Sequence, residues 1–413
     1  MAATAWDAII VGAGPAGSAL ACRLRPWRRV LLLERTALPA AGAVSFAQRL
    51  AAAEAAALPA AAAVPGAPAA APVAHAVPGT AAAPRIGESL PGAARVLLQR
   101  CGAFERFLAA GHAERGATVA QWDGETPVWF DQLRDPNGAG WHLDRVRFDA
   151  DLRASAAEAG AVLVDDCGPL RVRRDGGRWL VADEASGEIH QAPVLADATG
   201  RTAAIARQLG LKRRVEDALI CLHVHLAALP GDEDHCTRVC ADSNGWWYSV
   251  RVPGSRRVLA FHLDAADPEL RRLKSLPALL AKARRHGLLA EVLPAAADAS
   301  VHARPAGSAV LDDAGLAAAA GFFAIGDAGL SFDPIASQGL FHALASAESA
   351  ANAIEHGAEG AIAARAAFLA EMDAVHAHYR RRFHDTYAAP LRFGQSPFWA
   401  RRRRPPAAAD HAG

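Results

Sequence analysis

Ala8-Ile9-Ile10-Val11-Gly12-Ala13-Gly14-Pro15-Ala16-Gly17 is an apolar run of strand length that passes directly into a Gly-x-Gly-x-x-Gly turn, with Pro15 to Arg25 suited to a helix behind it. Glycine permits the tight turn and lets the backbone approach a pyrophosphate at the helix N-terminus, where unpaired N–H groups favour an anion. Val30 to Glu34 follows as a second apolar strand, so the segment predicts a βαβ unit. Glu34 ends that strand, where its carboxylate can accept hydrogen bonds from an adenosine ribose, and Arg35 adds a charge near the phosphates. Gly12, Ala13, Gly14, Ala16, Gly17, Glu34 and Arg35 are therefore the candidate dinucleotide-binding residues.

Outward from this unit, residues 37–84 are dominated by Ala and Pro and are expected to form a low-complexity surface insertion, with a helix compatible only with Phe46 to Leu58. Helical spacing returns from Leu90 to Ala110 and from Arg147 to Ala159, followed by a strand from Ala161 to Val164. Leu170 to Arg174 and Arg178 to Ala182, joined by Asp175-Gly176-Gly177, predict a hairpin, and Val194 to Asp197 a buried strand. Between Leu219 and Leu263 the period becomes two, giving strands over 219–228, 236–241, 246–252 and 257–264. Phe322 to Ile325 is one more strand, ahead of a glycine-rich loop and helices from Gln338 to His356 and Ala361 to His384; Arg401 to Arg404 and the tail are expected to fray.

The chain has 413 residues, enough for two or three structural units, and its 44 basic and 43 acidic residues leave a net charge of +1, which gives no field to gather nucleic acid. The six cysteines show no CxxC spacing, so no metal site is expected and the thiols read as buried in a reducing compartment. No leader or membrane-spanning segment is read, and a cytoplasmic location is expected.

The segment Gly326-Asp327-Ala328 followed by Phe332-Asp333-Pro334-Ile335-Ala336-Ser337-Gln338-Gly339-Leu340 closely resembles the second FAD fingerprint of the flavoprotein monooxygenase, halogenase and geranylgeranyl reductase superfamily, which has the p-hydroxybenzoate hydroxylase fold. The resemblance implies that Asp327 binds the ribityl chain, that Pro334 lies close to the flavin ring, and that the backbone at Gly339 and Leu340 faces its pyrimidine end. Asp197-Ala-Thr-Gly200-Arg201 and Leu143-Asp-Arg145-Val-Arg-Phe148-Asp149 resemble two further motifs of the superfamily, the second implying that Arg145 contacts FAD. Gly87-Glu88-Ser89-Leu90-Pro91 looks like a segment found near the flavin in halogenase-like members. The implied fold is α/β: a Rossmann-like FAD-binding domain in three parts (1–110, 142–217 and 306–357), an inserted, mostly antiparallel β-sheet substrate domain (111–141 and 218–305), and C-terminal helices with a tail (358–413).

Tryptophan halogenases carry an early lysine and a Trp-x-Trp-x-Ile-Pro motif. Here the first lysine is Lys212, and Trp246-Trp-Tyr-Ser-Val-Arg-Val-Pro253 sets Tyr248 and Val250 at the motif's tryptophans, while Ala336 replaces a glutamate before Ser337. The resemblance therefore implies hydroxylation of an aromatic substrate through a flavin hydroperoxide, with electrons from NAD(P)H or a separate flavin reductase. Subgroup likeness extends to the flavoprotein partners of tryptophylquinone enzymes, so the substrate is expected to be a small aromatic molecule or a tryptophan-containing polypeptide. A halogenase, an isoprenoid (geranylgeranyl-type) reductase and a non-catalytic flavin-binding partner protein are the alternatives. Pocket candidates on the expected substrate-facing sheet and beside it are His142, His223, His225, Trp246, Trp247, Tyr248, His262 and Ser337.

Overall fold

The computed structural model describes residues 3–24, 28–38, 85–131, 135–355 and 357–403, so the insertion and its helix near Phe46 to Leu58 lie, from residue 39 on, outside the described residues. A five-stranded parallel sheet runs in the order Phe322–Ala324, Val194–Asp197, Ala8–Val11, Val30–Leu33, Val162–Val164. Every residue of Ala8–Val11 and Val30–Leu33 is buried, as a sheet covered on both faces requires. Alternation divides these strands between two cores. Ala8, Ile10, Val30 and Leu32 pack with helices Pro15–Leu24, Arg145–Glu158 and Gly339–Glu355, while Ile9, Val11, Leu31 and Leu33 pack with Trp179, Val181 and Ala192 of a four-stranded sheet beneath.

That second sheet contains the expected hairpin, Leu170–Asp175 with Arg178–Asp183, and both glycines of its turn have positive φ (54° and 80°), the backbone that a two-residue reversal demands. The period-two block forms a seven-stranded sheet in the order His302–Pro305, Leu219–Ala227, Arg256–Asp264, Gly245–Val252, Thr237–Asp242, Thr118–Gln121, Val128–Phe130. All of its pairings are antiparallel except that of Thr237–Asp242 with Thr118–Gln121. One face packs Leu222, Val224, Trp247, Leu259 and Phe261 against Leu276–Ala283 and Gly287–Ala290; the other presents Cys221, Trp246 and Ala260 to Tyr387, Phe398 and Trp399 of the C-terminal helices.

Two expectations about helices change. Leu90 to Ala110 contains two helices, Ala94–Arg100 and Phe104–Ala109, because Gly102 takes a φ of 67° between them. Arg401 to Arg403 do not fray: they end helix Pro397–Arg403, and buried Arg402 donates to both oxygens of Asp217 (2.9 and 2.8 Å) and to Asp264 (2.8 Å). Two buried carboxylates at that position need a cation, and the tail supplies it. Among the described residues no helix is long and apolar enough to cross a membrane.

Candidate active site

A cavity of about 790 Å³ runs from the glycine turn, past the Gly326–Leu340 loop, to the face of the seven-stranded sheet that carries Trp246 and Tyr248. At the turn, a Cβ on Gly12 would stand 2.4 Å from the carbonyl oxygen of Ala198 and one on Gly17 would stand 1.9 Å from that of Gly12, so both glycines are required by the fold itself. Gly14 differs. A Cβ there meets nothing within 4 Å, and the residue opens onto the cavity at the N-terminus of Pro15–Leu24. An open cradle at a helix N-terminus is the place for a pyrophosphate.

Glu34 lines the same end, with Oε2 accepting from the Ala13 N–H at 2.8 Å and Oε1 from the Thr36 N–H at 3.1 Å, so its carboxylate is held against the turn. Ala13 and Gly17 shape the turn and are not on the lining; Gly12, Gly14, Ala16, Glu34 and Arg35 are. Further along, Arg145, Asp327, Pro334, Ser337, Gly339 and Leu340 join the wall. Arg145 is fixed by Asp149 and by the carbonyls of Ile86 (2.8 Å) and Gly87 (3.1 Å). Ser337 takes a φ of 50°, and the reversal lets Gly339–Glu355 start at the cavity with its amide ends exposed to it. Glycine cradle, carboxylate at the strand end and second helix terminus together fit a flavin adenine dinucleotide lying along this cavity.

Residues of the shared motifs that sequence reading left without a role also take a place here. Asp197 accepts four hydrogen bonds, from Thr199 N and Oγ1 and from the N–H groups of Ile205 and Ala206, which makes it an anchor for the start of Ala204–Gln208. Arg201 donates to the carbonyls of Gly307 and Phe332 (2.6 and 2.5 Å) and pairs with Asp327 at 3.4 Å, tying the loop down. Asp333, wholly buried on the cavity wall, accepts from the Tyr387 hydroxyl at 2.8 Å and from the Ile335 N–H at 2.8 Å, and burial, reinforced by the negative Asp217, pushes its carboxyl up to about 7. Asp333 lies in a motif legible in the sequence, but its partner Tyr387 lies 54 residues away and carries no sequence signal.

At the far end the wall is made of rings. Trp246 stacks on His262 with centroids 3.7 Å apart and planes 11° apart, and its Nε1 donates to Tyr387 at 2.9 Å. Tyr248, two residues on, shares that face and shares a hydrogen with Ser89 Oγ at 3.2 Å. Burial pushes His262 down to about 3, so it is neutral.

The other pocket candidates are placed elsewhere. Trp247 points to the opposite face, stacked on Phe261 and donating to Asp242, as alternation dictates. His142 is buried against Thr237 Oγ1 at 3.0 Å, off the cavity lining. His223 and His225 do share a face with each other and with the cavity-lining Cys221, but lie farther along the strand: His223 packs on His302, and His225 lines a separate hollow of about 30 Å³.

No family model matches the chain. It is 22% identical over 296 residues to the "Putative FAD-dependent oxidoreductase LodB" of Marinomonas mediterranea, covering 68% of this chain and 77% of that protein. Among solved structures it superposes on the flavin-dependent halogenase CmlS (TM-score 0.75, 21% identity, 98% of this chain and 69% of that one). Peptidyl tryptophan dihydroxylase QhpG, essential for tryptophylquinone cofactor biogenesis, gives a TM-score of 0.69 at 23% identity over 98% of this chain and 80% of its own. The myxobacterial chondrochloren halogenase CndH gives 0.70 at 20%, over 98% and 87%. The fold of this chain is therefore the one that CmlS, QhpG and CndH share.

Proposed function

We propose that the chain is an FAD-dependent monooxygenase that hydroxylates an electron-rich aromatic ring. The observation that carries this reading is the continuity of one cavity from the open cradle at Gly14 to the Trp246, His262 and Tyr248 wall. Bound FAD would supply the activation of oxygen. The chain's own residues do the rest. Gly14 and the first turn of Pro15–Leu24 hold the pyrophosphate, Glu34 the ribose, and Asp327 with the start of Gly339–Glu355 the far half of the cofactor. The rings orient a flat substrate and exclude water. Hydroxylation is favoured over halogenation by the lysines: buried Lys282 pairs with Asp242 and Glu269, away from the cavity lining, and neither Lys212 nor Lys274 is on it.

A polypeptide-borne tryptophan is the substrate reading favoured by one further observation. Val128–Phe130 ends the seven-stranded sheet, and Val128, Trp129 and Phe130 are 54, 63 and 55% exposed, so this edge strand shows rings to solvent on both faces and, among the described residues, has no strand paired on its outer side. Such an edge suits an extended partner segment. The name of QhpG, a peptidyl tryptophan dihydroxylase, supports the same substrate class, and that of LodB supports an FAD-dependent oxidoreductase.

The test is to reduce the FAD-loaded protein, admit labelled dioxygen, and weigh the products from tryptophan-containing peptides and small indoles or phenols. One labelled oxygen atom per hydroxyl added is expected. Product formed without oxygen, or a halide-dependent mass instead, would replace the reading with the isoprenoid reductase or the halogenase. Running the reduction with NAD(P)H alone, then with a flavin reductase, separates the two electron sources.

A further inference from the structure

Glu88 stands on the cavity wall, 2% exposed, and neither of its carboxyl oxygens meets a donor at full hydrogen-bonding geometry; the Gly87 and Glu88 amides and the Tyr248 hydroxyl approach it only loosely. The guanidinium of Arg145, the cation beside it, is committed to Asp149 and to the carbonyls of Ile86 and Gly87. The Tyr248 hydroxyl, also nearby, is shared with Ser89. A buried carboxyl left unpaired is costly, so a fold that keeps one at a cavity is holding it for a ligand. The groups around it say which ligand. Tyr248 and Cys221 come from the seven-stranded sheet, beside the Trp246 and His262 stack. A planar molecule resting on those rings would bring its edge to Glu88.

We propose that Glu88 accepts a hydrogen bond from a ring N–H or phenolic O–H of the substrate, which makes the substrate class a donor-bearing aromatic, an indole or a phenol. This assignment rests on the aromatic-hydroxylase reading above and names the group that recognises the substrate. A ring N–H of bound flavin offers the same donor chemistry, so the experiment has an arm for each source.

Titration calorimetry of the FAD-loaded protein with indole against N-methylindole, and with phenol against anisole, reads the donor directly. Well above neutral pH, where the Glu88 carboxyl is ionised, a hydrogen bond to a charged acceptor predicts that each donor binds about tenfold or more tightly than its methylated partner. In Glu88→Leu the two members of each pair should bind within about twofold of one another, with Glu88→Gln between, while apoprotein of both variants takes up FAD with wild-type affinity. Equal binding of donor and methylated partner in the wild type overturns the proposal without any variant, and so does weakened FAD uptake in Glu88→Leu with discrimination intact, which would assign Glu88 to the flavin. If labelled oxygen enters an aromatic product but discrimination is absent, only Glu88 has been misassigned. If none of the four probes binds, the aromatic reading falls with it.

Discussion

At the dinucleotide end of the cavity the wall is backbone: the turn at Gly12 and Gly14, the first amides of Pro15–Leu24 and, across from them, the start of Gly339–Glu355. At the other end it is side chains, Trp246, His262 and Tyr248, held in place by Tyr387 and Ser89 from remote segments. A backbone site depends on a few glycines and on local spacing, so its chemistry can be read from a motif. A side-chain site depends on which way each strand faces and where it stops, and that is decided by packing between elements far apart in the chain.

The largest effect that separates the two ends is expected from Arg402→Ala. Buried Asp217 and Asp264 would lose their shared cation, at a cost of about 3–5 kcal/mol. Urea unfolding should show it, and stability near wild type would mean that the C-terminal helix contributes nothing to the ring-lined end. Next comes Gly14→Val at the opposite end: the new Cβ meets no atom of the fold within 4 Å and the side chain fills the cradle, so FAD affinity should fall about a hundredfold, roughly 3 kcal/mol, with the unfolding curve little moved. Flavin fluorescence quenching on titration of apoprotein measures the affinity, and a yellow, fully loaded variant would remove the pyrophosphate from this turn.

Acidity gives a signed test of comparable size. Burial pushes the Glu88 carboxyl from its ordinary 4.5 up to about 7, so its contribution to the stability of the cofactor-free protein is present below 4.5 and is lost as pH rises through 7. Asp333 acts in the same direction. Between those limits Glu88→Gln should flatten the fall in stability by roughly 3 kcal/mol, and parallel curves for variant and wild type would place Glu88 in water. Smallest is Tyr248→Phe, which removes the hydroxyl's contacts with Ser89 and Glu88: a change of about 1 kcal/mol in stability, no change in FAD uptake, and weaker binding of aromatic probes by calorimetry.

The parallel sheet and its glycine turn were legible because Ala8–Val11 and Val30–Leu33 are apolar throughout and punctuated by glycine, a pattern few other structures share. The hairpin at Gly176-Gly177 and the strands of the period-two block were legible for similar local reasons. His142, His223 and Trp247 were not placed by sequence. Alternation puts Trp246 and Trp247 on opposite faces, but which face meets the cavity is set by the helices at Leu276–Ala283 on one side and Tyr387 with Trp399 on the other. Arg401 to Arg403 looked like a frayed basic tail because Asp217 and Asp264 are more than a hundred residues away.

The claim on which the rest depends is that cofactor cradle and ring-lined wall are two ends of one site, and the visible spectrum of bound flavin, recorded while indole is titrated into the FAD-loaded protein, tests it most directly. A saturable perturbation of the flavin bands, at the same indole concentrations that calorimetry reports for binding, is the predicted result. Indole that binds while leaving the flavin spectrum unchanged would mean that the aromatic site lies away from the cofactor and that the single-cavity account is wrong.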